Sequence, residues 1–382
     1  MRVGLRRGLV ALSCRVLQAV LPPSLQSWGW AVRHEAASIQ DDTKALLFTL
    51  DSLSGLLPHA IAAHLFHRFA EGSTAMNLLD ATMRRPRMSG VLCAIGAALL
   101  GLAYMAIAGA PMRYLGINIG ALAIGLTMLG MLGHAATADR RLADAAIVTM
   151  AGALLATALL GSEVDGAARW VNLAGLAIQP SLILLPVMLV AFARTRSATA
   201  TTGIVIAAVA MALQPDRAMA GMLALCVALL AVIRRDRHTV IAVAAGVASF
   251  ATTLMRADTL PAAPYVDQIL YSSFDVHPGA GLAVWGGAAL MLVPGIVGFS
   301  RDPDNRAVYA TFGAAWFAAI VAAALGNYPT PVVGYGGSAI IGYAVSLFAL
   351  PKLSGAPARK ASREDEPANR SPSDRHLLDA LA

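Results

Sequence analysis

From residue 89 onward the chain alternates long apolar runs with short polar breaks. A helix needs about 20 mostly apolar residues to cross a bilayer. Ten runs approach or reach that length: 89–110, 114–135, 142–161, 178–194, 198–214, 217–233, 238–256, 280–299, 307–326 and 331–351. The pattern predicts an all-α polytopic membrane bundle of about ten transmembrane helices, several of them short or bounded by Gly and Pro. The breaks differ in charge. Those after the second, fourth, sixth and eighth runs carry Arg140/Arg141, Arg194/Arg196, Arg234/Arg235/Arg237 and Arg301/Arg306, nine arginines in all. The alternate breaks carry only Arg113, Arg169, Arg217 and Arg256. Cytoplasmic loops are the ones enriched in Arg and Lys, so with an even number of spans both termini are expected in the cytoplasm.

The flanks have a different texture, and three regions are expected: 1–87, 88–352 and 353–382. Met1–Trp30 is Arg-rich with short apolar pieces, and Arg15 interrupts it before a signal-peptide core is reached. Leu46–Phe69 has apolar residues at helical spacing, broken by Gly55 and Pro58. Residues 1–87 are therefore read as an N-terminal cytoplasmic region, amphipathic or loosely packed, suited to lying on the membrane surface. His64 and His67 stand one helical turn apart, but with no third ligand at suitable spacing no metal site is expected. The tail from Ser354 is rich in Pro, Ser and charge, the composition of a disordered segment.

Composition supports the same class. Hydrophobic residues make up 57% of the chain and charged ones 13%, against roughly 25% charged in soluble domains. The net charge of +7 lies largely in arginines at the ends of apolar runs and in the first 87 residues. That distribution reads as membrane orientation, and no nucleic-acid partner is expected. Cys14, Cys93 and Cys226 are too scattered for a disulfide framework or a metal site.

Candidate chemistry collects in the breaks assigned to the outer face. Arg169 beside Trp170 is an interfacial pair, in which indole anchors at headgroup level and guanidinium can grip phosphate. Gln179-Pro180-Ser181 opens a span, with Pro in the first turn and Ser able to cap free amides. Gln214-Pro215-Asp216-Arg217 joins two short spans, where Asp216 can serve as an N-cap or face a polar cavity. The longest outward loop, about 257–279, holds Asp258, Asp267, Asp275 and His277. With Arg169, Arg217 and Arg256 this face offers both a carboxylate able to take a proton from a hydroxyl and cationic groups able to hold an anionic leaving group. Last comes Pro329-Thr330-Pro331-Val332-Val333-Gly334-Tyr335-Gly336-Gly337-Ser338, in which proline fixes a turn and the glycines allow close backbone approach.

In order and spacing these islands resemble the SEDS family of cell-wall polymerases, the FtsW/RodA group, over residues of about 89–351. The family pattern Gly-Ala-x-Arg-Trp-Ile is similar to Gly166–Val171. Its Gln-Pro-Ser and Gln-Pro-Asp correspond to Gln179–Ser181 and Gln214–Asp216. Its Pro-x-Pro-x-x-Ser-Tyr-Gly-Gly-Ser is similar to Pro329–Ser338, with Gly334 in place of the first Ser. The resemblance implies a glycosyltransferase polymerising lipid II, or a related undecaprenyl-linked substrate, at the outer face of the bacterial plasma membrane in cell division or elongation. It implies Asp267, a few residues after Leu260-Pro261, as the catalytic base. Arg169 and Arg217 would hold pyrophosphate, with a divalent cation (magnesium or manganese) as an optional helper. Trp170, Gln179, Ser181, Asp216, Pro331, Tyr335, Gly336, Gly337 and Ser338 would line the substrate site. A single-span transpeptidase, a class B penicillin-binding protein, is the implied partner, together with membrane lipids.

The chain departs from the family at several points. Ala168 stands where a second Arg is usual, and Leu182 and Leu185 replace a Glu and a Lys. Losing both charges together is coherent, since one charge left buried alone costs several kcal/mol while an apolar pair can be neutral. Only Arg256-Ala257-Asp258-Thr259 separates Leu260-Pro261 from the preceding span, where the family has a long Gly-rich segment. These departures favour the alternative reading, a catalytically inactive SEDS-like scaffold or regulator of the cell-wall machinery. A solute transporter would call for internal repeats and polar residues in broken helices, and the chain has no such repeat and few charges within its spans.

Overall fold

In a computed structural model the chain forms two compact units, 1–82 and 83–382. The structure describes residues 86–135, 140–164, 166–173, 175–256 and 260–351, together with 26–39, 41–49, 51–52 and scattered positions between 7 and 21. His64, His67 and most of Leu46–Phe69 lie outside the described residues, as does the tail from 352.

In the first unit, helix α1 (Gln26–Ser38) buries Gly29, Val32 and Ala36 on one face. Ala36 packs with Val10, Cys14 and Ala45 in a small apolar cluster. Arg7 pairs with Asp42 and donates to the Ile39 carbonyl at 2.9 Å.

The second unit is built from α2 (Pro86–Ile107), α3 (Met112–Ala135), α4 (Arg140–Leu160), α5 (Pro180–Thr195), α6 (Ala198–Leu213) and α7 (Arg217–Ile233). It continues with α8 (Arg237–Leu254), α9 (Ile269–Val276), α10 (Pro278–Arg301), α11 (Arg306–Leu325) and α12 (Gly337–Ser346), the last extended by a 3-10 turn over Leu347–Ala349. All ten apolar runs are thus helical. Six are long and apolar enough to cross a membrane, while α5, α6, α7 and α12 with its extension are shorter apolar helices. The last run departs from expectation: 331–336 is a turn, and the helix starts only at Gly337. Gly336, at φ 151°, turns the chain into it, a conformation that side chains rarely adopt. The outward loop also contains a short helix that the sequence pattern did not show, α9.

Helix α5 is the centre of the bundle. Leu182, Leu185, Met188, Leu189, Val190, Phe192 and Ala193 are buried around its circumference, as expected for a helix apolar on every side. It packs against α4, α11 and α12. Gly342 lets α12 come close, because a β-carbon there would sit 2.1 Å from the Leu182 carbonyl oxygen. Helices α2 and α10, α4 and α6, and α7 with α8 and α11 form the other main packings. Ser197, Asp216 and Asp236 cap α6, α7 and α8 through the third backbone N–H of each.

The outside is apolar. Ile119, Ile124, Leu159, Leu160, Leu282, Ile296 and Phe317 are exposed, which suits a lipid surround and would be an aggregation hazard in water. Hydroxyls within the helices, such as Thr157 on Ala153 and Thr311 on Ala307, satisfy themselves on carbonyls four residues back. The fold is that of an all-α, multi-pass membrane protein, with one small antiparallel sheet between α4 and α5: β1 (Ser162–Val164), β2 (Ala167–Leu173) and β3 (Leu176–Ile178), in that order.

The breaks sort into two ends as the arginine count predicts. At the arginine-rich end Arg87 donates to the carbonyls of Phe348 and Leu350, Arg194 to that of Ala349, and Arg234 to that of Asp304. The opposite end holds the motif islands.

Candidate functional site

Three islands distant in sequence meet through one carboxylate. Asp216 is fully buried. Its Oδ1 accepts from Met219 N–H at 3.2 Å, which caps α7. Its Oδ2 accepts from Gln179 Nε2 and from Ser181 Oγ, each at 3.0 Å. The Gln179 backbone N–H in turn donates to Ser338 Oγ at 2.9 Å, which ties α5 to the start of α12. The capping role and the cluster role of Asp216 are therefore the same geometry. Beside it, Arg169 on β2 is buried, donates through Nη2 to the Pro215 carbonyl, and lies 6.0 Å from the centre of the Tyr328 ring. Trp170, next on the strand, is half-buried.

The turn before α12 is held from three sides. Asn118 on α3 donates through Nδ2 to the Gly334 carbonyl at 2.9 Å and accepts from Gly336 N–H at 3.2 Å. One turn earlier, the Tyr114 ring stacks on Tyr335 with centroids 3.9 Å apart and meets Tyr265 edge-on at 6.1 Å. Val333 is buried against α2 and α10, where Gly101 and Gly287 make room for it.

Asp267 sits in the loop that rests on this turn. Tyr335 N–H donates to the Tyr265 carbonyl at 2.7 Å, and Thr330 N–H to that of Val266 at 2.9 Å. Asn327 accepts from Gln268 Nε2 at 2.7 Å and donates to the Leu260 carbonyl at 2.9 Å. Asp267 Oδ2 accepts from Ala263 N–H at 2.8 Å, while its buried Oδ1 has no hydrogen-bond partner among the described residues. Burial pushes the Asp267 carboxyl above the ordinary carboxylate range, and the Ala263 N–H opposes that rise.

A cavity of about 900 Å³ opens between α7, α8 and α11 at the same end. Its walls are apolar, with Met222, Leu225, Phe250, Phe317 and Val321, and its rim carries Arg217, Gln268, Asn327 and Tyr328. From Arg217 to Leu225 the groove follows α7 for about 12 Å. Arg217 Nη2 donates to the Arg256 carbonyl at 2.9 Å.

The expected site residues thus fall into two neighbouring groups. Arg169, Gln179, Ser181, Asp216 and Ser338 form the buried cluster. Pro331, Tyr335, Gly336 and Gly337 form the turn and helix start against which the Asp267 loop lies. Arg217 belongs to the groove rim. Tyr328 touches both neighbourhoods, over Arg169 and at the rim. Asn118, Tyr114, Gln268, Asn327 and Tyr328 were not legible as site residues. Asn118 left one signal, being the sole amide side chain in the apolar run 114–135. Among the described residues no three His, Cys, Asp or Glu side chains come together, and both Asp216 oxygens are engaged.

Fold and site together define a polytopic membrane protein with a buried polar cluster at one end and a lateral apolar groove beside it. No family model matches the chain, and no curated protein matches it. Among solved structures, the rod shape determining protein RodA of Thermus thermophilus is similar, at 18% identity and a TM-score of 0.48, over 68% of this chain and 93% of that one. An aspartate-to-alanine mutant of the same protein is similar at 20% identity and a TM-score of 0.47, over 68% of this chain and 94% of that one.

Proposed function

We propose that this chain is a divergent SEDS-type glycosyltransferase that polymerises a lipid-linked disaccharide, lipid II or a related undecaprenyl-linked substrate, at the outer face of a bacterial plasma membrane. The observation that carries the reading is the meeting of an apolar lateral groove with an arginine-bearing rim one residue from a partly buried carboxylate. A prenyl chain suits the walls lined by Leu225, Phe250 and Val321. Arg217 at the rim would take the pyrophosphate, with Arg169 behind Tyr328 adding positive charge.

Asp267 would accept the proton of the attacking sugar hydroxyl through Oδ1, which its loop leaves unpaired but buried, so substrate entry would have to expose it. A carboxyl raised toward the working pH is better matched to that transfer than an ordinary one. As the glycosidic oxygen bonds to the anomeric carbon of the donor, the bond to pyrophosphate breaks and the prenyl pyrophosphate leaves with the electron pair. Asp216 would act by holding the Gln179 and Ser338 ends together, with its oxygens satisfied. The partner implied by the motif resemblance is a single-span transpeptidase, a class B penicillin-binding protein.

A second reading, an inactive SEDS-like scaffold or regulator of the cell-wall machinery, is favoured by one observation. Leu182 and Leu185 are buried in α5 where the resembling family has an ion pair, so any coupling of that helix through charge is lost. Polymerisation of labelled lipid II by the purified protein, with and without a co-expressed transpeptidase, separates the two. Glycan chains made by the wild type and lost in Asp267→Ala support the enzyme. No product under either condition, from folded protein that binds its partner, favours the scaffold.

A further inference from the structure

At the arginine-rich end, opposite the site above, a groove of about 480 Å³ opens between α6 and α8. Thr201, Thr202 and Val205 on α6 face Arg237, His238 and Ile241 on α8 across it. The order of chemistry along the groove is the point. A polar and basic layer stands at the helix ends, and Val205 and Ile241 follow one turn further into the apolar span.

The basic pair is accessible. Thr201 Oγ1 donates its proton to the Ser197 carbonyl at 2.7 Å, so His238 Nδ1, 2.9 Å from the same oxygen, carries the imidazole proton and donates. Its Nε2 accepts from Arg237 Nε at 3.4 Å, so both ring nitrogens are engaged and His238 orients the guanidinium. Arg237 itself is exposed. The neighbouring carboxylate does not neutralise the pair, because Asp236 is engaged with Arg196 at 3.0 Å and accepts from Thr239 N–H at 2.9 Å. An anion meeting this end therefore finds the exposed Arg237 guanidinium, oriented by His238, on a helix whose own first turn is also electropositive.

We propose that this groove binds an anionic phospholipid, its phosphate against the Arg237 guanidinium that His238 orients and an acyl chain along Val205 and Ile241. The charge pattern selects the phosphate, and the apolar continuation selects a lipid over a free anion. Basic pockets between helices at an anionic leaflet are suited to such headgroups. The inference is independent of the polymerase reading, since it concerns the opposite end of the helices.

The test uses the full chain reconstituted with mixed phosphatidylglycerol and phosphatidylcholine, followed by re-extraction and lipid mass spectrometry. Wild type is expected to retain phosphatidylglycerol selectively, and R237Q/H238Q to lose about five-fold or more of that enrichment. Val205→Trp, which fills the groove and keeps Arg237 and His238, is expected to lose it as well. Arg113→Gln, at the other end of the helices, is expected to leave it unchanged. If R237Q/H238Q does not fold, Val205→Trp decides alone. Equal enrichment in wild type and Val205→Trp overturns the proposal. So does inorganic phosphate that strips the lipid from wild type, which would mark a site for the free anion.

Discussion

Asn118 and Gly334 are 216 residues apart and joined by a 2.9 Å hydrogen bond from the amide nitrogen to the carbonyl oxygen. The same side chain accepts from Gly336 N–H, so one buried amide satisfies both backbone groups of a turn inside the apolar bundle. Replacing it with alanine leaves a carbonyl and an N–H without partners in a dry setting. We expect Asn118→Ala to cost about 2–4 kcal/mol, read as a fall of several degrees in thermal midpoint in detergent. An unchanged midpoint would mean that the turn is held by the Tyr114–Tyr335 stack instead.

Gly101 makes a sharper steric prediction. A β-carbon there would lie 2.5 Å from the Val333 carbonyl oxygen and 2.6 Å from its Cα, backbone atoms that cannot swing aside. Gly101→Ala is therefore expected to destabilise by about 1–3 kcal/mol despite the better helix propensity of alanine. Gly116→Ala on α3, where nothing lies within 4 Å, is the contrasting case. It should be neutral or stabilising by up to about 1 kcal/mol. Equal effects at the two positions would contradict the close approach of α2 to the turn.

Asp216 and Gln179 should behave as a unit. Asp216→Ala removes the cap of α7 and the acceptor for Gln179 and Ser181, an expected loss of about 3 kcal/mol. Once the carboxylate is gone, Gln179→Ala has less left to break. A double-mutant cycle on thermal stability should give a coupling of about 0.5–3 kcal/mol. Simple additivity would show that the hydrogen bond between them contributes nothing.

How far the sequence foretold this arrangement differs from element to element. The ten apolar helices and the pairing of their breaks were legible, because a bilayer demands length and apolarity that few other constraints imitate, although only six of the ten are long enough to cross on their own. The meeting of Gln179, Ser181, Asp216 and Ser338 was legible only as a resemblance between motifs, since nothing in their spacing measures distance in space. The turn at 331–336 read as part of a span because Val332 and Val333 are apolar, yet they are buried in a non-helical turn. Helix α9 was hidden because it is only eight residues long and its pattern is mixed: Ser273 is buried while Tyr271, Phe274 and Val276 are exposed. The partners of Asp267 were invisible for a different reason. Its neighbours Tyr265 and Gln268 act through a backbone carbonyl and an amide contact to 327–335, and neither leaves a periodic trace.

Asp267 gives the prediction with a pH axis. Burial raises its carboxyl above the ordinary 3.8 in the folded state, so between that value and the folded one the native protein holds a proton that the unfolded chain has released. Stability arising from this group is then present at low pH and is lost as pH rises through the window. Asp267→Asn keeps an oxygen for Ala263 N–H and has no charge to desolvate. Its thermal midpoint should equal that of wild type near pH 4 and rise above it as pH increases. The gap should level off once the folded carboxyl is fully ionised. In the polymerase assay the same variant should be inactive at every pH, because the amide cannot accept the hydroxyl proton. A variant that is less stable than wild type at neutral pH would show that the carboxylate is held by a favourable contact, and would remove the argument for a poised base.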